Sequence, residues 1–134
     1  MPNAMKKKIL IVEDEKLSRA IIVATLESNG ICCVSAEHGQ QALDLLNNQP
    51  FDLILTDLRM PVLNGLELIK VIREHEKTIG VTRGVPIVVL SAEKGEMIDA
   101  AVELGISDYF IKSAPVDSLV PKLKQLLGDI PKAQ

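Results

Sequence analysis

A chain of 134 residues, 47% apolar and 25% charged, is long enough for one domain with a hydrophobic core of its own and too short for two. Only Phe51, Tyr109 and Phe110 are aromatic, so the core must be built from Ile, Leu, Val and Ala, and a platform for stacking nucleic-acid bases is excluded. The formal net charge of −3 argues against binding to a phosphate backbone, and the one basic run, Lys6 to Lys8, reads as a solvated lead-in to a strand.

The apolar residues alternate between short β-branched runs and longer stretches at helical spacing. A strand over Lys8–Val12 precedes a helix over Leu17–Ser28. In that helix Leu17, Ala20, Ile21, Ala24 and Thr25 define the core face, and Glu15, Lys16, Arg19 and Glu27 mostly the solvent face. Asn29-Gly30 ends it. The strand Ile31–Ser35 points Cys32 and Cys33 to opposite faces, as plain thiols and not a disulfide or metal pair. A helix over Gln40–Asn47 and a strand over Phe51–Thr56 follow. Gly65 after Asn64 reads as a turn residue ahead of a helix over Leu66–Glu74. Thr78 to Val85 form a long, glycine-containing link expected to be mobile. The remaining elements are a strand Pro86–Leu90, a helix Glu96–Leu104 stopped by Gly105, a strand Asp108–Ile111 and a helix over about Ser118–Leu127. With Ser118 as N-cap, Pro121 falls in the first turn, which predicts a late-starting or kinked last helix. His38 and His75 read as surface histidines.

Five strand-then-helix repeats demand parallel pairing, and right-handed crossovers then cover both faces of the sheet. The fold class is a doubly wound five-stranded α/β domain over residues 7–128. Residues 1–6 read as a tail or an added remnant, and residues 129–134 as a C-terminal tail. No apolar stretch approaches the ~20 residues that cross a bilayer, and the first residues lack the apolar centre of a secretion signal, so no membrane association and a cytoplasmic location are expected.

Ligands of open parallel sheets bind beyond the carboxyl ends of the strands. Glu13 and Asp14, Asp57, Ser91 and Lys112 all fall there, from four different strands. Clustered carboxylates raise one another's pKa unless a cation compensates them. A hard divalent ion does so, and Mg²⁺ suits Asp14 and Asp57 as direct ligands, Glu13 through water and the main-chain carbonyl of Arg59. No Cys or His joins the cluster, which excludes a soft-metal site. Lys112 and Ser91 suit the oxygens of an incoming phosphoryl group, with Asp57 as nucleophile. Arg59 and Glu93, each two residues beyond a site residue, flank the pocket.

Ile9-Leu10-Ile11-Val12-Glu13-Asp14-Glu15, Asp57-Leu58-Arg59-Met60-Pro61 with Asn64-Gly65, Leu90-Ser91-Ala92 and Tyr109-Phe110-Ile111-Lys112 resemble the receiver domain of two-component response regulators, in order from about Lys7 to Leu127. The resemblance implies strand order 2-1-3-4-5 and Mg²⁺-dependent phosphorylation of Asp57 from the phosphohistidine of a histidine kinase or phosphotransfer protein. It implies a switch in which Ser91 and Tyr109 move and reshape the face of the fourth helix, fifth strand and fifth helix. A downstream protein target and a phosphorylation-dependent dimer follow from the same likeness, with no direct nucleic-acid contact and no enzymatic activity beyond the domain's own phosphoryl gain and loss. One departure stands out: the family's proline after the last-strand lysine, often preceded by a cis peptide, is Ser113 here, so either the Lys112-Ser113 bond is strained or the loop takes another path.

Other classes fit less well. An aspartyl-nucleophile phosphohydrolase usually needs a second acid where Arg59 stands. A nucleotide or flavin module needs glycine in the first strand-helix turn, and Val12 to Leu17 has none. A receiver working unphosphorylated would normally lack a key acid. The domain also fits a receiver excised from a hybrid histidine kinase.

Overall fold

The computed structural model describes residues 7–92 and 95–128. Five parallel strands form one sheet in the order β2-β1-β3-β4-β5, made of β1 (Lys8–Val12), β2 (Cys32–Ala36), β3 (Leu53–Asp57), β4 (Ile87–Ser91) and β5 (Asp108–Ile111). Each crossover carries a helix: α1 (Lys16–Glu27), α2 (Gly39–Asn48), α3 (Gly65–Thr78) and α4 (Glu96–Leu104), while α5 (Leu119–Leu127) follows β5. This is the doubly wound order expected.

Alternation along the strands splits the core into two layers. Ile9, Ile11, Leu53, Leu55, Val88, Leu90 and Phe110 pack against α1 and α5 through Ile22, Leu26, Leu119, Val120, Leu123 and Leu127. Leu10, Val12, Ile54, Ile87 and Val89 point the other way, onto Ala42 of α2, Leu68, Ile69 and Ile72 of α3 and Ile98 and Ala101 of α4. Because β1, β3 and β4 are buried on both faces, they read as unbroken apolar runs.

The core face of α1 is not the one its periodicity suggested. Ile22 and Leu26 are its buried residues, whereas Leu17 and Ile21 are 69% and 44% exposed and Ala20 and Ala24 also face water. The helix carries two apolar stripes, and packing on β1 selects the one led by Ile22.

Other local features have their own causes. Gly65 does not adopt a left-handed turn; a Cβ there would overlap the Asp57 carbonyl oxygen and lie 2.7 Å from Leu58 Cα, so it is close approach to β3 that requires glycine. The link after α3 folds back on its own helix, with Val81 N–H donating to the Glu76 carbonyl and Val85 N–H to the Glu76 carboxylate. The last helix does start late, after a 3-10 turn over Val116–Ser118, and Pro121 falls in its first turn. Ser118 does not cap it: its hydroxyl donates backwards to the Pro115 carbonyl at 2.6 Å. Cys32 and Cys33 are free thiols, and burial pushes Cys33 up to about 12. His38 is more than a surface residue, since its Nδ1 accepts from Gln41 N–H and caps α2. The tails, residues 1–6 and 129–134, and Glu93 lie outside the described residues.

Candidate functional site

The carboxyl ends of β1, β3, β4 and β5 converge as expected. Asp57 is the last residue of β3, Ser91 the last of β4, and Lys112 follows β5 directly. Glu13 follows β1, where its N–H still pairs with the Ala36 carbonyl of β2 at 3.1 Å, and its side chain is wholly buried. Asp57 is buried too, but Asp14 is exposed. One carboxylate oxygen from each of the three acids lies within 4.8 Å of the others.

Lys112 closes this group. Its Nζ lies 2.7 Å from Glu13 Oε1 and 2.8 Å from Asp57 Oδ2. Ser113 therefore does not divert the lysine: the loop takes a path without a cis bond, pinned by Lys112 N–H to the Ser91 carbonyl at 2.7 Å and Ala114 N–H to the Ile111 carbonyl. The Glu13 carboxylate also accepts from Ser18 Oγ at Oε1 and from Glu15 N–H at Oε2. Arg59 N–H donates to Asp57 Oδ1 at 3.3 Å.

Burial pushes the Asp57 carboxyl above its ordinary range, and the neighbouring Glu13 charge pushes the same way, against the pull of Lys112 and of Arg59 N–H. Burial also disfavours the Lys112 ammonium, but its bonds to Asp57 and Glu13 outweigh that and hold it above the usual lysine value. Glu13 and Asp57 thus share the Lys112 ammonium, while Asp14 has no ion pair among the described residues, and the acid cluster stays short of positive charge.

Asp57, Ser91 and Lys112 line a cavity of about 450 Å³ with Leu58, Arg59 and the first turn of α4. That volume leaves room beside Asp57 for a group larger than water. Tyr109 is half-buried on β5 against the α2–α4 layer, and its carbonyl accepts from Lys122 Nζ at 3.0 Å.

The donor set fits a hard divalent ion. All three candidate side-chain ligands are carboxylates, and no imidazole or thiolate stands among them. Oxygens bound to one Mg²⁺ lie at most ~4.2 Å apart, so Asp14 and Asp57 need at most a slight contraction to share one.

Two contributors escaped the sequence reading. Ser18 and Arg19, in the first turn of α1, reach back to the acidic turn: Arg19 Nη1 donates to the Glu13 carbonyl at 2.8 Å and lies 3.5 Å from that of Asp14. Periodicity assigns Arg19 to the solvent face; the signal in the sequence that marks it is its position about one helical turn beyond the acid pair.

A doubly wound sheet with three acids and a lysine at its carboxyl edge, open to a cavity, is the arrangement of a receiver-type signalling module. The chain belongs to the response regulator receiver domain family of two-component signalling, whose model matches residues 9–124. It is 36% identical over 124 residues to a chemotaxis protein CheY homolog of Campylobacter jejuni, covering 90% of this chain and 92% of that protein. Among solved structures it is similar to the receiver domain of the Saccharomyces cerevisiae response regulator Ssk1, co-crystallised with the histidine phosphotransfer protein Ypd1. The identity is 33%, the coverage 90% of this chain and 88% of that one, and the TM-score 0.82. The response regulator TrrA of Thermotoga maritima, in complex with Mg²⁺-BeF, is 31% identical over 90% of this chain and 98% of its own, with a TM-score of 0.77. The chain spans about half the length of the transcriptional regulators it matches. Among the described residues no helix is long and apolar enough to cross a membrane.

Proposed function

We propose that Asp57 is a phosphoacceptor, charged from a phosphohistidine of a histidine kinase or phosphotransfer protein in the cytoplasm, and that residues 7–128 are the unit that signals the result. The observation that carries this reading is the buried Asp57 carboxylate, 2.8 Å from the Lys112 ammonium and open to the cavity. An Asp57 oxygen attacks phosphorus, the phosphorus–nitrogen bond breaks, and its electron pair stays on the imidazole. Asp14, Asp57 and the Arg59 carbonyl would hold Mg²⁺, with Glu13 bound through water. When bound, the ion supplies the positive charge that three carboxylates and a phosphoryl group require.

Lys112 is already poised between Glu13 and Asp57, so an arriving phosphoryl oxygen exchanges one anionic partner for another on the same ammonium. Ser91, on the cavity wall, donates its hydroxyl to a second oxygen. Moving Ser91 frees space behind it toward Tyr109, and turning that ring inward alters the surface of α4, β5 and α5, which a downstream protein or a second copy reads. The domain performs no chemistry on a separate substrate; it catalyses its own phosphoryl gain and loss. That two similar receivers are known with a phosphotransfer protein and with Mg²⁺-BeF supports both the donor and the ion.

The exposed apolar face of α1 fits the donor's docking. Leu17 and Ile21 border a groove of about 220 Å³ that also includes Glu15, Val116 and Lys112, so an apolar patch flanks the acidic mouth.

Incubation with a small phosphodonor and Mg²⁺, read by intact mass, tests the proposal. The wild type should gain one phosphoryl group that is labile in acid and base, and Asp57→Asn should gain none. Undiminished labelling of Asp57→Asn would overturn it.

A further inference from the structure

We propose that Arg19 is a positioning residue for the cation site, fixing the main chain around Asp14 so that its carboxylate faces Asp57. This inference rests on the Mg²⁺ reading above.

Asp14 is the one acid of the three that nothing else holds. Glu13 is tied at both oxygens, by Lys112 and Ser18 on one side and Glu15 N–H on the other, and Asp57 is tied by Lys112 and Arg59 N–H. The Asp14 carboxylate is exposed and has no hydrogen-bond or ion-pair partner among the described residues. Its direction is therefore set by its backbone alone.

The peptide plane after Asp14 is held by Glu15 N–H, which donates to Glu13 Oε2 at 3.1 Å, but side-chain support from the start of α1 is sparse. The N-cap position of α1, Glu15, makes no side-chain cap, and no acid stands in the first turn. Arg19 supplies the support from one turn further on. Its Nη1 donates to the Glu13 carbonyl at 2.8 Å and more weakly, at 3.5 Å, to the Asp14 carbonyl. These two carbonyls belong to the peptide planes before and after Asp14. Since a residue has only two soft dihedrals, holding both planes holds the direction of its Cα–Cβ bond. Arg19 forms no ion pair among the described residues, so its charge is directed at these dipoles and not at a carboxylate.

An opposing effect is present. A guanidinium near a divalent cation repels it, so removing Arg19 could tighten binding. Arg19 is only half-buried, where solvent screens that repulsion, whereas a misdirected direct ligand is lost altogether. Groups that orient metal ligands typically account for 10- to 100-fold in affinity, and this sets the expected sign.

The test is calorimetric titration of Mg²⁺ alone into wild type, Arg19→Gln, Arg19→Lys and Asp14→Ala, with melting curves recorded without Mg²⁺. Arg19→Gln should bind Mg²⁺ roughly tenfold more weakly, and Arg19→Lys should recover part of the loss, since an ammonium reaches one carbonyl but lacks the planar fork. Phosphodonor labelling of Arg19→Gln should show a deficit at limiting Mg²⁺ that narrows as Mg²⁺ is raised, a dependence that a merely structural defect would not produce. Equal or tighter Mg²⁺ binding by Arg19→Gln overturns the inference. If Arg19→Gln fails to fold, Arg19→Lys decides, and wild-type affinity in it has the same consequence. A wild type that binds no Mg²⁺ removes the cation reading and this inference together; intact wild-type binding abolished in Asp14→Ala but unchanged in Arg19→Gln removes this inference alone.

Discussion

Two helices begin at the same edge of the sheet, and they are built differently. α3 is fixed by local rules: Asn64 and Glu67 form a capping box, Glu67 faces the positive helix end, His75 and Lys77 lie in the last turn, and Leu68, Ile69 and Ile72 are buried. α1 has no side-chain cap and no acid in its first turn, and it leaves Leu17 and Ile21 in water. Its opening turn is held by the site itself, through the Glu13 carboxylate and Arg19. The difference teaches that α3 is framework, carrying Gly65 against β3, while α1 gives up helix-end stability for the geometry of the acid cluster and an open face.

Substitutions should separate the two. The largest effect is expected from Gly65→Ala, whose methyl would collide with the β3 backbone at Asp57; denaturant unfolding should show a loss of about 3 kcal/mol. Asn64→Ala removes the capping box and should lower stability by about 1 kcal/mol in the same experiment. A loss in Gly65→Ala no larger than in Asn64→Ala would mean that α3 can shift away from β3.

The acid pocket should behave in the opposite sense. Because the folded Asp57 carboxyl is raised by burial and by Glu13, the stability linked to its proton is fully present in acid and is lost as pH rises through the folded value. Asp57→Asn has no such loss. Its melting temperature should exceed that of the wild type at neutral pH without Mg²⁺, and the gap should shrink as pH falls through the carboxylate range. A lower melting temperature for Asp57→Asn at neutral pH would show that the bond to Lys112 outweighs burial.

The smallest change in stability is expected on the open face of α1. Leu17→Ala should alter unfolding by less than about 0.5 kcal/mol. Transfer from a phosphodonor protein, measured relative to labelling by a small phosphodonor, should nevertheless fall roughly tenfold, as for an interface anchor. Equal loss with both donors would move Leu17 from docking to the pocket's own geometry.

The same contrast explains what the sequence made legible. β1 and β5 match their expected limits, and the other strands are displaced by one or two residues; the existence of β1, β3 and β4 was legible because runs buried on both faces announce themselves without reference to partners. Glu13, Asp14, Asp57, Ser91 and Lys112 were found because strand ends in a parallel sheet face one edge. The α1 face was misassigned because a helix with two apolar stripes does not encode which one the sheet selects. The reach of Lys112 past Ser113, the contact behind Gly65 and the backward grip of Arg19 depend on distances across elements, which spacing along the chain does not contain.

The central claim, that Asp57 carries an acyl phosphate, is met most directly by trapping it. After labelling with a small phosphodonor and Mg²⁺, borohydride reduction converts an aspartyl phosphate to homoserine, and peptide mass analysis locates the change. The account predicts homoserine at position 57 and dependence of its yield on Mg²⁺. Reduction at another carboxylate, or a phosphate that resists borohydride and maps to a hydroxyl such as Ser91, would contradict it.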